Sequence, residues 1–244
     1  MFLISNMKTI NQNYSLLLLS NSTNPGHPFL AWPEETLSTF LHGLKGYIAF
    51  VPYAAVTLSW DSYTEKVRER MQTLGYSVKS VHTADDPAQM ILNASAIMIG
   101  GGNTFQLIHL LHEHSLLDAI RKCVNSGTPY IGWSAGSNVA CPTIQTTNDM
   151  PVLPIRDFSA LGLIPFQINP HFTDKTIPNH GSETRSQRIK EYLAVNKELP
   201  VLGLREGTGL VIKNGEVMLV GDKPAEYFKS ESDAKALKPG RLNV

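Results

Sequence analysis

Residues 96–113 read AIMIGGGNTFQLIHLLHE. Four apolar residues run straight into Gly100-Gly101-Gly102-Asn103, and a helical segment follows over residues 104–112. A short, wholly apolar run bounded by glycines reads as a buried strand. The same grammar recurs at residues 129–132, PYIG, which lead directly into Trp133-Ser134-Ala135-Gly136. Working outward, residues 14–19, 47–51 and 77–81 are further strands, the second stopped by Pro52. Helices are expected over 34–42, over 62–74 and over 116–125, and Asp86-Pro87 opens another because proline suits a first helical position. In the helix over 62–74, Tyr63, Val67, Met71 and Leu74 share one face, and Gly75 ends it.

Strands that are apolar throughout and alternate with helices need cover on both faces. The expected fold class is therefore α/β, a mostly parallel sheet with helices on both faces. After residue 140 the texture changes. Prolines 142, 151, 154, 165, 170 and 178 break the chain into loops and short strands. Residues 166–169 and 201–204 are strand candidates and 183–194 a helix. Residues 209–213 and 216–220 form a small β-hairpin near the C-terminus, turned at Asn214-Gly215. The division expected is a loose N-terminal extension over 1–13 and a single domain over 14–244.

The 244 residues carry 21 Lys+Arg and 21 Asp+Glu, so the net charge is zero. Nucleic acid and anionic membranes select a basic face, so neither is an expected partner. The N-terminal apolar run, residues 16–19, is too short for a span or a signal segment. Cys123 and Cys141 are too few for a disulfide framework and fit reduced, buried thiols. A cytoplasmic location follows as an expectation, with a monomer or homodimer as the assembly.

Gly132-Trp133-Ser134-Ala135-Gly136 has the form G-x-S-x-G, in which small neighbours let a serine stand exposed on a strand-to-helix turn. A Gly-flanked helix cap is the plainer reading; the apolar strand in front favours the nucleophile. Gly101 and Gly102 can present backbone N–H groups to a developing oxyanion together with that of Ala135. A phosphate loop would need a Gly-Lys-Ser/Thr ending or G-x-G-x-x-G, and both are missing. Eight histidines could serve as base. His109, His112 and His114 lie around one helix end without a recognised zinc motif, and read as surface groups; no metal or cofactor is expected. His171 follows an apolar strand and Pro170, where the carboxyl edge of a sheet presents ligands, and is the expected base. Glu206, after the strand at 201–204, is the preferred acid on position, and Asp149 would be a second acidic group of the pocket.

Longer blocks carry a resemblance. NSTNPG at 21–26, IGGGNTFQL at 99–107, YIGWSAGSNVACPTIQTTNDMP at 130–151, PFQINPHFTD at 165–174 and ETRSQRI at 183–189 resemble the peptidase E family of α-aspartyl dipeptidases. The resemblance implies a fold similar to class I glutamine amidotransferases, with serine in place of the cysteine nucleophile. It implies hydrolysis of Asp-Xaa dipeptides without metal or cofactor. Carried over by position, Ser134 is the nucleophile and His171 the base, and both Glu206 and Asp149 stand as the relay acid. Arg205 departs from the family pattern, where proline is commoner. Binding an aspartate side chain calls for a cation, best an arginine fork, and Arg185 is the candidate, with Asn103 as a further substrate contact. Two other readings are a cyanophycinase-like hydrolase of an acidic polymer and a non-catalytic binding protein of the same fold. The dipeptidase-like blocks weigh against the first; Ser134, His171 and Glu206 together weigh against the second.

Overall fold

The computed structural model describes residues 10–176, 181, 183–230 and 232–242. In chain order the elements are β1 (Ser15–Leu19), α1 (Glu34–Phe40), β2 (Tyr47–Val51), α2 (Trp60–Thr73), β3 (Ser77–Ser80), α3 (Pro87–Leu92), β4 (Ala96–Ile99), α4 (Thr104–Glu113) and α5 (Leu116–Asn125). There follow β5 (Tyr130–Trp133), α6 (Ala135–Asn138), β6 (Gln167–Asn169), α7 (Arg185–Val195), β7 (Val201–Gly203), β8 (Thr208–Lys213), β9 (Glu216–Gly221), β10 (Ala225–Phe228), β11 (Lys235–Leu237) and β12 (Gly240–Leu242).

The large sheet runs β12-β9-β8-β1-β5-β4-β2-β3. Its β1-β5-β4-β2-β3 half is parallel. Alternate residues of these strands enter two separate cores. Leu16, Leu18, Ala49, Val51, Ile97 and Ile99 pack with Leu107, Ile108 and Leu111 of α4 and with α5. Leu17, Leu19, Ile48, Phe50 and Met98 pack with Leu37 of α1 and with Tyr63, Val67 and Met71 of α2. A strand whose side chains are buried on both faces has no polar positions, which is why these strands read as unbroken apolar runs. The expected α/β class with a mostly parallel sheet and covered faces is the fold observed.

The C-terminal part is richer than one hairpin. The β8–β9 hairpin joins the large sheet through antiparallel pairing of β8 with β1, and β12 adds to its outer edge. A second sheet, β11-β10-β7-β6, stands beside it. In this sheet β6 and β7 are parallel. Phe172, Ile189, Leu193, Val201 and Phe228 close a small core between α7 and this sheet. Ile168, Leu202, Leu204 and Ala225 belong to the main core, so the two sheets share one interior.

Residues 1–9 of the expected loose extension lie outside the described residues, as does Pro178. Of the rest, Ile10 is buried in the main core and residues 11–13 are exposed. Among the described residues no helix is long and apolar enough to cross a membrane.

Candidate active site

Strand β5 ends at Trp133 and α6 begins at Ala135, so Ser134 alone makes the turn. It adopts φ 53° and ψ −113°, a conformation costing a residue with a side chain about 1–3 kcal/mol. The surroundings hold it there. Its N–H donates to the Leu19 carbonyl at 3.1 Å, and its carbonyl accepts from Ser137 and Asn138, each at 3.0 Å. The buried Ser137 hydroxyl lies 2.7 Å from the Leu19 carbonyl and 2.9 Å from that of Gly132. A Cβ on Gly136 would run into the Ile99 carbonyl, which explains the glycine after the serine.

His171 follows β6 and also takes a positive φ, 54°. Its Nε2 lies 2.9 Å from Ser134 Oγ, and its Nδ1 lies 2.8 Å from Glu206 Oε1. An ionised carboxylate can only accept, so the neutral ring carries its proton on Nδ1. Nε2 is then left to accept from the serine hydroxyl. Glu206 comes from the loop after β7, and Lys223 Nζ donates to its backbone carbonyl at 2.7 Å.

The loop after β4 passes beside Ser134. A Cβ on Gly101 would stand 2.9 Å from Ser134 Cβ. Gly102 has φ +142° and packs on the Ala54 carbonyl. Gly100 and Asn103 donate inward to Val51 and Ala54. No acceptor among the described residues takes the N–H of Gly101 or Gly102. Ala135 is the first residue of α6, where an N–H has no intrahelical partner. Tyr63 braces the loop from α2: its hydroxyl donates to the Gly101 carbonyl at 3.1 Å and accepts from Trp133 Nε1 at 2.9 Å. Burial raises the Tyr63 pKa, opposed by these two hydrogen bonds, so the phenol stays protonated.

Of the two acids, only Glu206 touches the imidazole. Asp149 Oδ2 accepts from Thr104 N at 2.7 Å, Thr104 Oγ1 at 2.6 Å and Thr147 Oγ1 at 3.1 Å, which fixes it at the start of α4. It still lines the cleft with Ser134 and His171. Asn103, the expected substrate contact, is also bonded to the scaffold. Its Oδ1 accepts from Gln106 N and its Nδ2 donates to the Met150 carbonyl, so both ends of the amide hold the scaffold that carries Asp149. Arg185 is the first residue of α7. Burial, then the neighbouring Arg188, lower its pKa, and the charge of Asp149 acts the other way. It makes no hydrogen bond or ion pair among the described residues. Arg205 turns away from Glu206 to Asp174 and Glu226 and lies over the Phe172 ring.

The cleft is about 470 Å³ and is also lined by Asn21, Ser22, Thr23, Phe29, Lys66 and Trp133. Sequence reasoning missed the role of the 20–24 segment. Ser20 Oγ accepts from His171 N at 2.9 Å and donates to the Leu204 carbonyl at 2.8 Å. Asn21 Oδ1 accepts from Gly207 N at 2.8 Å. The turn after β1 thus ties the loops of the base and the acid together. The polar cluster following an apolar strand was the available signal.

The chain holds a second serine–histidine–carboxylate array, with aspartate as its acid. His82 Nδ1 is 2.5 Å from Ser80 Oγ and its Nε2 is 2.9 Å from Asp61 Oδ1. Ser80 is only 2% exposed, so no substrate can reach it. Of the three surface histidines, His109 pairs with Glu113 at 3.5 Å and His112 approaches the Ser159 carbonyl at 3.2 Å.

The profile of peptidase family S51 matches residues 16–220. The chain belongs to peptidase family S51. It is a serine peptidase, and peptides are its substrates. Peptidase E of Nostoc sp. strain PCC 7120 is 50% identical over 224 residues, covering 92% of this chain and 93% of the relative. Peptidase E of Shigella flexneri serotype 5b is 47% identical over 227 residues, covering 92% and 98%. A crystal structure of a peptidase from an acI-B1 Actinobacterium shares the fold, with TM-score 0.68 at 22% identity over 95% of this chain and 97% of that one.

Proposed function

We propose that this S51 peptidase hydrolyses dipeptides with a free N-terminal L-aspartate, through an acyl intermediate on Ser134. The reading rests on the hydrogen-bonded chain Ser134–His171–Glu206 beside a cleft lined by an acid, Asp149, whose charge acts on the half-buried Arg185. His171 Nε2 takes the hydroxyl proton as Oγ bonds to the scissile carbonyl carbon. The oxyanion that forms faces the N–H groups of Gly101, Gly102 and Ala135. Collapse breaks the C–N bond, and the imidazolium returns its proton to the leaving amine. Water, deprotonated by the same nitrogen, then releases aspartate and restores the serine. Glu206 holds the ring and offsets its transient charge. Arg185 binds the aspartate side chain as a fork on a carboxylate. Asp149 receives the free α-amine and keeps Arg185 charged. The reaction runs in the cytoplasm, consistent with two free, buried cysteines, of which Cys141 has its thiol pushed up to about 12 by burial.

The experiment is a rate panel: Asp-Leu, Glu-Leu, Leu-Leu, acetyl-Asp-Leu and β-Asp-Arg. Only Asp-Leu is expected to turn over, and Ser134→Ala should remove several orders of magnitude of that rate. Equal rates across the panel would refute the specificity. Cleavage of β-Asp-Arg alone would favour the cyanophycinase-like reading.

A further inference from the structure

One charged group in the cleft has no part in the steps above. Lys66 lines it together with Phe29 and Tyr63. Its ammonium rests 4.6 Å from the centre of the Phe29 ring, close enough for a cation–π contact. Its neighbour Glu65 is held by Arg68. Among the described residues no carboxylate stands within ion-pair distance of Lys66. An uncommitted cation over an aromatic face inside a cleft is placed to receive an anion.

The position is fixed relative to Ser134. Phe29 meets Trp133 edge-on, with ring centres 6.0 Å apart, and Trp133 precedes the serine. Tyr63, three residues before Lys66 on α2, hydrogen-bonds to Gly101. Residues three apart on a helix share a face, so Lys66 and Tyr63 approach the cleft together. Helix α2 covers one face of the large sheet, whereas Asp149 is held on α4, which covers the other. The cleft therefore carries an acid and a cation on walls that arise from opposite faces, with Ser134 at the sheet edge between them. A zwitterionic peptide can match that polarity in one direction: amine toward Asp149, carboxylate toward Lys66.

We infer that Lys66 binds the C-terminal carboxylate of the leaving residue and so selects dipeptides over longer chains. In a dipeptide the only main-chain carboxylate lies one residue, about 3.8 Å of backbone, beyond the scissile bond. In a longer peptide an uncharged amide occupies that place. This inference rests on the dipeptidase reading and adds the group that recognises the far end of the substrate.

The test compares kcat/KM for Asp-Leu and for Asp-Leu amide in the wild type, Lys66→Met and Lys66→Arg. The wild type should prefer the free acid, and about 0.5 M salt should erode that preference because the contact is solvent-exposed. Methionine keeps an apolar stem on Phe29, so an unchanged thermal midpoint would show an intact fold. K66M should lower kcat/KM for the acid roughly fivefold more than for the amide, the scale of an exposed ion pair. K66R should recover most of the difference. Equal losses on both substrates would mean that Lys66 acts on the aspartate half, and no loss on either would mean that it touches neither; each overturns the inference while leaving the dipeptidase reading intact. A folded wild type inert on both substrates would sink that reading, and the role of Lys66 with it.

Discussion

Glu206 and Asp149 have the same charge and both stand near Ser134 and His171, yet their partners separate their roles. Glu206 accepts from the imidazole, and Asp149 accepts from Thr104 at the start of α4. Glu206→Gln keeps the shape but can stabilise neither the working tautomer nor the imidazolium, so kcat should fall at least about a hundredfold. Asp149→Asn removes the charge that acts on Arg185 and that is proposed to receive the substrate amine, so its main effect should be a rise in KM of about tenfold. Steady-state kinetics of the two variants side by side decides the relay acid. A larger kcat loss in D149N than in E206Q would reverse the assignment. Position in the sequence favoured Glu206, which follows a strand end, over Asp149, which follows the serine's helix, but could not show which of them meets the imidazole. What ranks them is which loop comes to lie against His171, and that depends on contacts more than thirty residues distant in sequence. Lys66 was illegible for a related reason. On a helix a lysine reads as a solvated surface group, and only the fold brings Phe29 beneath it.

At the scale of elements, the strand–Ser134–helix unit shows sequence and geometry in close agreement. Gly136 has no room for a methyl group because α6 starts against the end of β4. Gly136→Ala should cost about 1–3 kcal/mol by overpacking, measurable as a lower denaturation midpoint, and should remove activity by a larger factor than stability. A variant with full activity would show that the contact relaxes freely. The strands β1, β2, β4 and β5 were legible because burial on both faces leaves no polar position in them. The strands β10, β11 and β12 were not. Two of the three residues in β11 are exposed, and these strands span only three or four residues each, too short to display a period. The second sheet was missed with them, since its two halves are joined by the pairing of the non-consecutive strands β7 and β10, which no local pattern announces.

For the whole molecule, the notable arrangement is that the proposed reacting groups come from both sheets. Ser134 ends a strand of the large sheet, whereas His171 and Glu206 follow β6 and β7 of the small one. Besides the shared interior, the turn after β1 joins them through Ser20 and Asn21. A shift of one sheet against the other by about 1 Å would carry Nε2 beyond hydrogen-bond reach of the serine while leaving each sheet's own ladder intact. Such a slip needs far less disruption than melting the core. Catalysis should thus be the most fragile property of the chain. In a urea titration, loss of turnover should run ahead of the loss of far-ultraviolet ellipticity, opening a range of concentrations in which the protein is still folded and already silent.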